Sequence, residues 1–344
     1  MKVLSLFDGM SCGRIALERA GLPVTTYFAS ELDKHAIAVA QKNYPSTVQL
    51  GDVRVVREMA EAGFFGKIDL LIGGSPCQGF SFAGHQLAFD DPRSVLFFEF
   101  VRILRALQRD NPNINFMLEN VKMKKEHLDV ITNFLGVNPV FINSALVSAQ
   151  NRQRYYWANW KIEQPADRGI LLKDIIENGE VDRDKSYCID ANYFKGGSLN
   201  NYLEKSRRQI VISQSEARLM VKVPDKAYCL TANYSKLGAP SLSNVERYFD
   251  KGIGQLIVKE ATKKGFVEIH PNEGVDLTFL TAAKCDFNWF DGAVIRKLTP
   301  VECERLQTVP DNYTAGVSDL QRYKMLGNGW TVEVVAHIFR GLRA

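Results

Sequence analysis

A cysteine stands just past an apolar run: Ile68 to Ile72 leads into Gly73-Gly74-Ser75-Pro76-Cys77-Gln78-Gly79-Phe80-Ser81. The run reads as a buried strand ending in a turn. In an open α/β sheet, ligands collect outside the carboxyl ends of the strands. A thiol carried there on a loop stiffened by glycine and proline is therefore a candidate nucleophile. A buried, inert cysteine is the competing reading, because free cysteines are among the most buried residues. Two further groups sit beside similar runs. Glu119-Asn120-Val121 leaves the apolar stretch Ile114 to Leu118, and Gln150-Asn151-Arg152-Gln153-Arg154 precedes Tyr155-Tyr156-Trp157. An acid leaving one buried strand beside a thiol leaving another is a pattern of catalysis rather than of surface charge. On an extended segment Arg152 and Arg154 point the same way, so the two guanidiniums can hold a phosphate, a base carbonyl or the acid itself.

The N-terminal segment has the form strand, glycine loop, helix, helix stop. Val3 to Phe7 is apolar, Asp8-Gly9-Met10-Ser11-Cys12-Gly13 follows, and Arg14 to Ala20 is closed by Gly21 and Pro23. Free backbone N–H groups at such a helix start cradle a nucleotide-type ligand, although the spacing is not GxGxxG and an ordinary tight turn fits it too. The next strand, Thr25 to Ser30, ends in Glu31, and Asp33 is the expected N-cap of a helix reaching Asn43. An acid about twenty positions past a glycine loop can take two ribose hydroxyls through its two carboxylate oxygens. Asp52, in Gly51-Asp52-Val53, recurs at the same topological level, where a carboxylate could accept from an adenine amino group.

Together, Pro76-Cys77 after a strand, Glu119-Asn120-Val121 and Gln150 to Arg154 resemble the DNA cytosine-5 methyltransferase family. Its ordered motifs recur here from Val3 to Phe339, with one unmatched stretch between Trp160 and Val294. The resemblance implies S-adenosyl-L-methionine as cofactor, S-adenosyl-L-homocysteine as product and a flipped-out cytosine of double-stranded DNA as substrate. It implies Cys77 as the nucleophile at C6, Glu119 as the acid at ring N3 and the exocyclic amine, Arg154 on the base O2, and Arg152 supporting the acid. Cofactor contacts are implied at Phe7, Asp8, Gly9, Gly13, Glu31, Leu32, Asp52, Val53, Pro76, Asn328 and Trp330. DNA contacts are implied at Gln78, Ser81 and Arg296. A cognate restriction endonuclease is an expected partner, and the acting form is expected to be a monomer. Two departures leave the branch open: Gly329 stands where bacterial members often have Ser, and Trp330 is similar to the mammalian de novo branch. A tRNA cytosine-5 methyltransferase shares these motifs, but a recognition region this large favours DNA. A non-catalytic DNA-binding relative would not need Cys77, Glu119 and Arg154 together.

The elements that must position these residues are legible in outline. At roughly 100–200 residues per domain, a chain of 344 residues suggests two domains. The expected fold class is α/β: a doubly wound, Rossmann-like, S-adenosylmethionine-dependent methyltransferase domain with a smaller, mainly β target-recognition domain. The first is expected over 1–160 plus 322–344, the second over 161–321. Asp91-Pro92-Arg93-Ser94 predicts the start of a helix from Pro92 to Arg109 whose face is Val95, Leu96, Phe98, Val101, Ile103, Leu104 and Leu107. Leu298-Thr299-Pro300-Val301-Glu302 carries a capping-box pattern. In the family the final Leu326 to Phe339 returns to the first domain and completes the cofactor pocket.

Between Lys161 and Asp291 the chain turns richer in Gly, Asn, Ser and Tyr, with short apolar runs. Lys185 to Lys195 returns there as Lys226 to Lys236, which reads as duplicated β-units within one domain. From Lys195 to Lys264, 13 Lys and Arg face 6 Asp and Glu, a net +7 that suits phosphate contact with base-edge readout. The whole chain carries +4, which permits nucleic-acid binding without requiring it. Its six cysteines lack ligand spacing, so neither a metal site nor a disulfide framework is expected. The first residues lack a signal-peptide core, and no apolar stretch nears the roughly 18 residues of a membrane span. The expected location is the cytoplasm, away from membranes.

Overall fold

The computed structural model of the protein describes residues 1–75, 95–195, 208–214, 219–222, 266–269, 289–290 and 293–343. From the N-terminus, strands and helices alternate: β1 (Lys2–Leu6), α1 (Cys12–Arg19), β2 (Thr26–Ser30), α2 (Lys34–Asn43), β3 (Val48–Gln49), α3 (Val53–Glu61) and β4 (Leu70–Gly74). There follow α4 (Val95–Asp110), β5 (Asn115–Val121), α5 (Lys125–Leu135), β6 (Val140–Asn143) and β7 (Gln153–Ala158). The seven strands form one sheet in the order β3-β2-β1-β4-β5-β7-β6. The pairs from β3 through β5 are parallel, and β7 runs antiparallel to both β5 and β6. This is the doubly wound α/β fold expected.

Parallel strands covered on both faces must be apolar almost throughout. Val3, Leu4 and Leu6 of β1 and Leu70, Leu71 and Ile72 of β4 are accordingly all buried. A methyl group at Gly13 of α1 would strike Ile72, whereas one at Gly73 would meet Phe100 of α4. Adjacent strand residues face opposite ways, so α1 and α4 cover opposite faces of the sheet. In α4 the residues Phe98, Val101, Ile103, Leu104 and Leu107 pack in one core with Leu4, Leu71, Phe116, Leu118 and Trp157. Phe97 and Phe100, outside the predicted face, are fully buried as well, so the helix is enclosed on a wider face than one stripe. Its predicted start, Asp91 to Ser94, lies outside the described residues.

One strand is longer than its apolar run. β5 continues through Val121, so Glu119 and Asn120 lie within the ladder rather than beyond it. The cause is β7, which pairs Tyr156 with Glu119, Tyr155 with Asn120 and Arg154 with Val121.

Helix starts follow local chemistry. Asp33 accepts from the His35 and Ala36 amides and caps α2, and Asp52 accepts from Arg54 N and caps α3. At the C-terminal end stand α6 (Pro300–Leu306), α7 (Asp319–Asn328) and α8 (Val332–Arg340). Thr299 Oγ1 accepts from Glu302 N at 3.1 Å while Glu302 Oε2 accepts from Thr299 N at 2.7 Å, the predicted reciprocal cap of α6. α8 buries Val332, Val334, Val335, Ala336, Ile338 and Phe339 and packs against α1.

The chain divides into two compact units: Met1–Ile175 with Arg183–Phe194 and Thr299–Ala344, and Ile176–Asp182 with Lys195–Leu298. Residues 161–175, 183–194 and 299–321, which the sequence reading assigned to the smaller domain, thus pack in the first unit. Lys185 is one reason: its ammonium donates to the carbonyls of Ala145, Ser148 and Ile170. Ser186 adds backbone bonds to Ala149 and Asn151. The first repeat copy therefore belongs to the sheet-bearing unit, and the second copy, Lys226 to Lys236, lies outside the described residues.

In the second unit the described strands are β8 (Ile210–Gln214), β9 (Leu219–Lys222), β10 (Phe266–Ile269), β11 (Trp289–Phe290) and β12 (Ala293–Lys297). They pair antiparallel as β11-β12-β8 and β10-β9. Among the described residues no helix is long and apolar enough to cross a membrane.

Candidate active site

The parallel strands β4 and β5 bring Gly74 opposite Glu119, with β7 on the far side. Glu119 is 8 % exposed, and a carboxylate withdrawn that far from water needs donors. It has two. Arg154 Nε lies 2.9 Å from Oε1, and Trp330 Nε1 donates to Oε2 at 3.1 Å. Burial works against the Arg154 charge, but Glu119 and then Cys188 outweigh it and hold the guanidinium above its ordinary range. Gly74 makes room for this arrangement: a methyl there would come within 2.8 Å of Trp330 Nε1 and 3.0 Å of Glu119 Oε2.

Beside the acid, Asn120 Nδ2 donates to the carbonyl of Ser75 at 3.4 Å and to its hydroxyl at 3.3 Å. Asn120 thereby ties the acid-bearing strand to the last described residue before the Pro76–Ser81 loop. Pro76, Cys77, Gln78 and Ser81 themselves lie outside the described residues.

The two arginines divide their work differently from the expectation. Arg154, rather than Arg152, meets the acid directly. Arg152 is buried, and its Nη1 donates to Cys188 Sγ at 3.2 Å and to Ile189 O at 3.1 Å. Its Nη2 donates to Gly327 O at 3.1 Å and to Gly329 O at 2.8 Å. It therefore joins three stretches that are far apart in sequence. The difference arises because Arg154 lies inside the β7 ladder, beside the strand that carries Glu119, whereas Arg152 lies just before it.

At the other strand ends, left-handed backbone at Phe7, Gly9 and Ser11 turns the loop back from β1 into α1. Asp8 accepts from the hydroxyls of Ser11 and Tyr27. Burial pushes the Asp8 carboxyl up to about 6, against the pull of the hydrogen bonds from Ser11 and Tyr27. Glu31 accepts from Gly9 N at 2.8 Å through Oε2, and from Leu32 N and Asp33 N at 2.7 and 2.8 Å through Oε1. A carboxylate has about four acceptor positions, so the two free oxygens expected of Glu31 reduce to one open position on Oε2. Leu32 is exposed, Val53 is buried and Asn328 is exposed at the end of α7. At Gly13 a methyl would lie 2.6 Å from Ile72 Cδ1 and 3.3 Å from Trp330 Cζ3, so any side chain there would require Ile72 to shift. In the second unit, Arg296 Nη2 donates to Asn178 O at 2.6 Å.

Sequence reasoning missed Tyr27, the Asn120 link to Ser75, and Gln307. The Gln307 side chain donates to Leu326 O at 2.6 Å and accepts from Gln150 Nε2 and Thr331 Oγ1. No motif marks these residues; their partners lie on other strands or on the returning C-terminal segment. Cys188 carries a signal, the repeat, but the repeat reads as duplicated β-units within the smaller domain rather than as a partner of Arg152.

The C-5 cytosine-specific DNA methylase family model matches residues 1–344. The chain is 25% identical over 419 aligned residues to the Type II methyltransferase M.BanI of Aneurinibacillus aneurinilyticus, covering 99% of this chain and 95% of that protein. It is 28% identical to the Type II methyltransferase M.HpaII of Haemophilus parainfluenzae, covering 96% and 86%. Among solved structures, a Spodoptera frugiperda DNMT2 variant superposes with a TM-score of 0.56 at 18% identity, covering 100% of this chain and 99% of the other. An S. pombe Dnmt2 methyltransferase gives 0.55 at 16%, covering 99% and 97%; at these identities both speak for the fold alone. With the family model matched from end to end around a buried, doubly held acid, the chain belongs to the C-5 cytosine-specific DNA methylase family and to the enzyme class of DNA (cytosine-5-)-methyltransferases.

Proposed function

We propose that the chain methylates C5 of a cytosine flipped out of duplex DNA, through a covalent adduct between Cys77 and C6. The observation that carries this reading is Glu119, held on both oxygens at the end of the sheet and linked through Asn120 to the root of the Cys77 loop. Cytosine C5 is a weak nucleophile. Addition of the Cys77 thiolate to C6 forms a C–S bond and raises electron density at C5. Glu119 hydrogen-bonds ring N3 and the exocyclic amine as charge builds on the ring, and Arg154 keeps the carboxyl in place. After methylation a base takes the C5 proton, the C6–S bond breaks, and the thiolate and the aromatic ring are restored. The cytosine reaches these groups only outside the duplex, at an unstacking cost of a few kcal/mol.

S-adenosyl-L-methionine supplies an electrophilic methyl on a sulfonium. The described residues suit it: the Phe7 to Gly13 loop holds Asp8 and no Lys or Arg. Asp8, Glu31 and Asp52 follow three neighbouring strands, β1, β2 and β3. That set favours hydroxyls and a cationic group over phosphates. Phe7, Gly9, Gly13, Leu32, Val53, Pro76, Asn328 and Trp330 complete the proposed pocket. The second unit, with the +7 stretch from Lys195 to Lys264, serves as the target-recognition domain, and Gln78, Ser81 and Arg296 contact DNA. The names of the Type II relatives support a partnership with a restriction endonuclease in the cytoplasm.

The test is methyl transfer from labelled cofactor to duplex DNA and, in parallel, to tRNA. Label is expected in DNA only, and Cys77→Ser should abolish turnover while cofactor binding persists. A duplex carrying 5-fluorocytosine should trap a complex stable in denaturant. Turnover by the Ser variant at the wild-type rate removes Cys77 as nucleophile, and label confined to tRNA removes the DNA reading.

A further inference from the structure

The indole of Trp330 spans two elements of the site. Its Cζ3 lies 3.3 Å from where a methyl at Gly13 would stand, and its Nε1 lies 2.8 Å from where one at Gly74 would stand. The ring thus reaches from the start of α1, in the glycine loop, to the end of β4, where its N–H meets Glu119 Oε2 at 3.1 Å. Arg154 already holds the other oxygen, and two donors on different elements fix the plane of a carboxyl where one would leave it free to turn about its C–C bond. The chain on either side of Trp330 is anchored. Gly329 O accepts from Arg152 and from Gln307 Nε2 at 3.2 Å, and Thr331 Oγ1 donates to Gln307 Oε1 at 3.0 Å.

We propose that Trp330 is a positioning residue for the acid, its indole N–H fixing the orientation of the Glu119 carboxyl and linking it to the wall of the cofactor pocket. This rests on the reading of Glu119 as the acid of the reaction. The glycine at position 74 has its reason here. It lies opposite Glu119 in the ladder, and glycine within a strand commonly marks a close approach by another group. Any side chain there would be driven between the indole and the carboxyl. Because the N–H bonds an oxygen of the acid, the ring does more than fill space.

The chain has four tryptophans, so its indole N–H resonances can be resolved in ¹⁵N-labelled protein, and that of Trp330 is identified by its loss in Trp330→Phe. In Glu119→Gln this resonance is expected to move while the other three stay. Gly74→Ala, which keeps both partners but wedges them apart, should move it too. In single-turnover methyl transfer, Trp330→Phe should lower the rate, since the carboxyl has lost one of the two donors that fix its plane. An indole resonance indifferent to both Glu119→Gln and Gly74→Ala overturns the proposal. So does a Trp330→Phe single-turnover rate equal to that of wild type, which would leave the ring as packing only. A wild-type protein that transfers no methyl overturns the functional reading instead, and the indole resonance still reports the contact.

Discussion

Glu119 and Arg154 show why a buried acid needs more than one neighbour. Removing one partner of a buried ion pair leaves the other charge uncompensated, which typically costs about 3–5 kcal/mol. Arg154→Ala should therefore lower unfolding stability by roughly 3 kcal/mol, while Glu119→Gln with Arg154→Ala together should cost less than the two single changes summed. Denaturant unfolding of the four proteins measures this coupling; strict additivity would mean that the pair is geometric only. Asp8 poses the opposite case, a carboxyl held by hydroxyls and, among the described residues, by no cation. Its value rises from 3.8 to about 6 in the fold, so between these limits the folded chain binds a proton that the unfolded chain lacks. Stability from this group is then lost as pH rises through that window, by about 3 kcal/mol at most. Asp8→Asn should flatten the dependence, read as unfolding midpoints of the cofactor-free protein from pH 4 to 7 against wild type. A variant with the same pH dependence as wild type would show that Asp8 does not carry it.

At the scale of single elements, the caps were legible because their partners are two or three residues away. Asp33 and Thr299 act as their local sequence suggests. Asp52 Oδ1 is occupied by Arg54 N as the cap of α3, so the cofactor contact proposed for this side chain would be a second office. Asp52→Ala should cost about 1 kcal/mol of stability, whereas Asp52→Asn, a cap of equal quality, should cost little. If Asp52 also meets the cofactor, calorimetry should find both variants binding it more weakly; normal affinity in Asp52→Asn would confine the residue to the cap. Strand length was less legible than capping. β5 keeps Glu119 and Asn120 in the ladder because β7 lies alongside, a pairing between stretches more than thirty residues apart.

Over the whole molecule, the decisive event is the return of the C-terminal segment to the sheet-bearing unit. Gly327 marks how close that return is: a methyl there would lie 2.2 Å from the Asp190 carbonyl carbon and 2.4 Å from Ala191 N. Both are backbone atoms, so α7 or the 183–194 stretch would have to shift. Gly327→Ala should cost about 1–3 kcal/mol and loosen Arg152, whose guanidinium bonds both sides of this contact. Thermal unfolding checks it, and an unchanged midpoint would mean that the segments separate freely. In the second unit the prediction concerns charge. Replacing one phosphate-contacting lysine between Lys195 and Lys264 should flatten the salt dependence of DNA binding by about one unit of slope. Wild-type slopes at every such position would place recognition elsewhere.

The sequence by itself determined the alternation of strands and helices, the caps, and the places of Glu119, Arg154 and the glycine loop along the elements. These depend on apolar periodicity and on bonds between near neighbours, which a linear reading contains. Tertiary structure alone decided which arginine serves the acid, where Trp330 points its N–H, and why Gly74 and Gly327 carry no side chain. It also decided that 183–194 belongs to the sheet-bearing unit, although its repeat pattern suggested otherwise. Each of those facts is a contact between segments distant in sequence. Residue type limits which partners a side chain can accept, but only the packed chain brings one of them within reach.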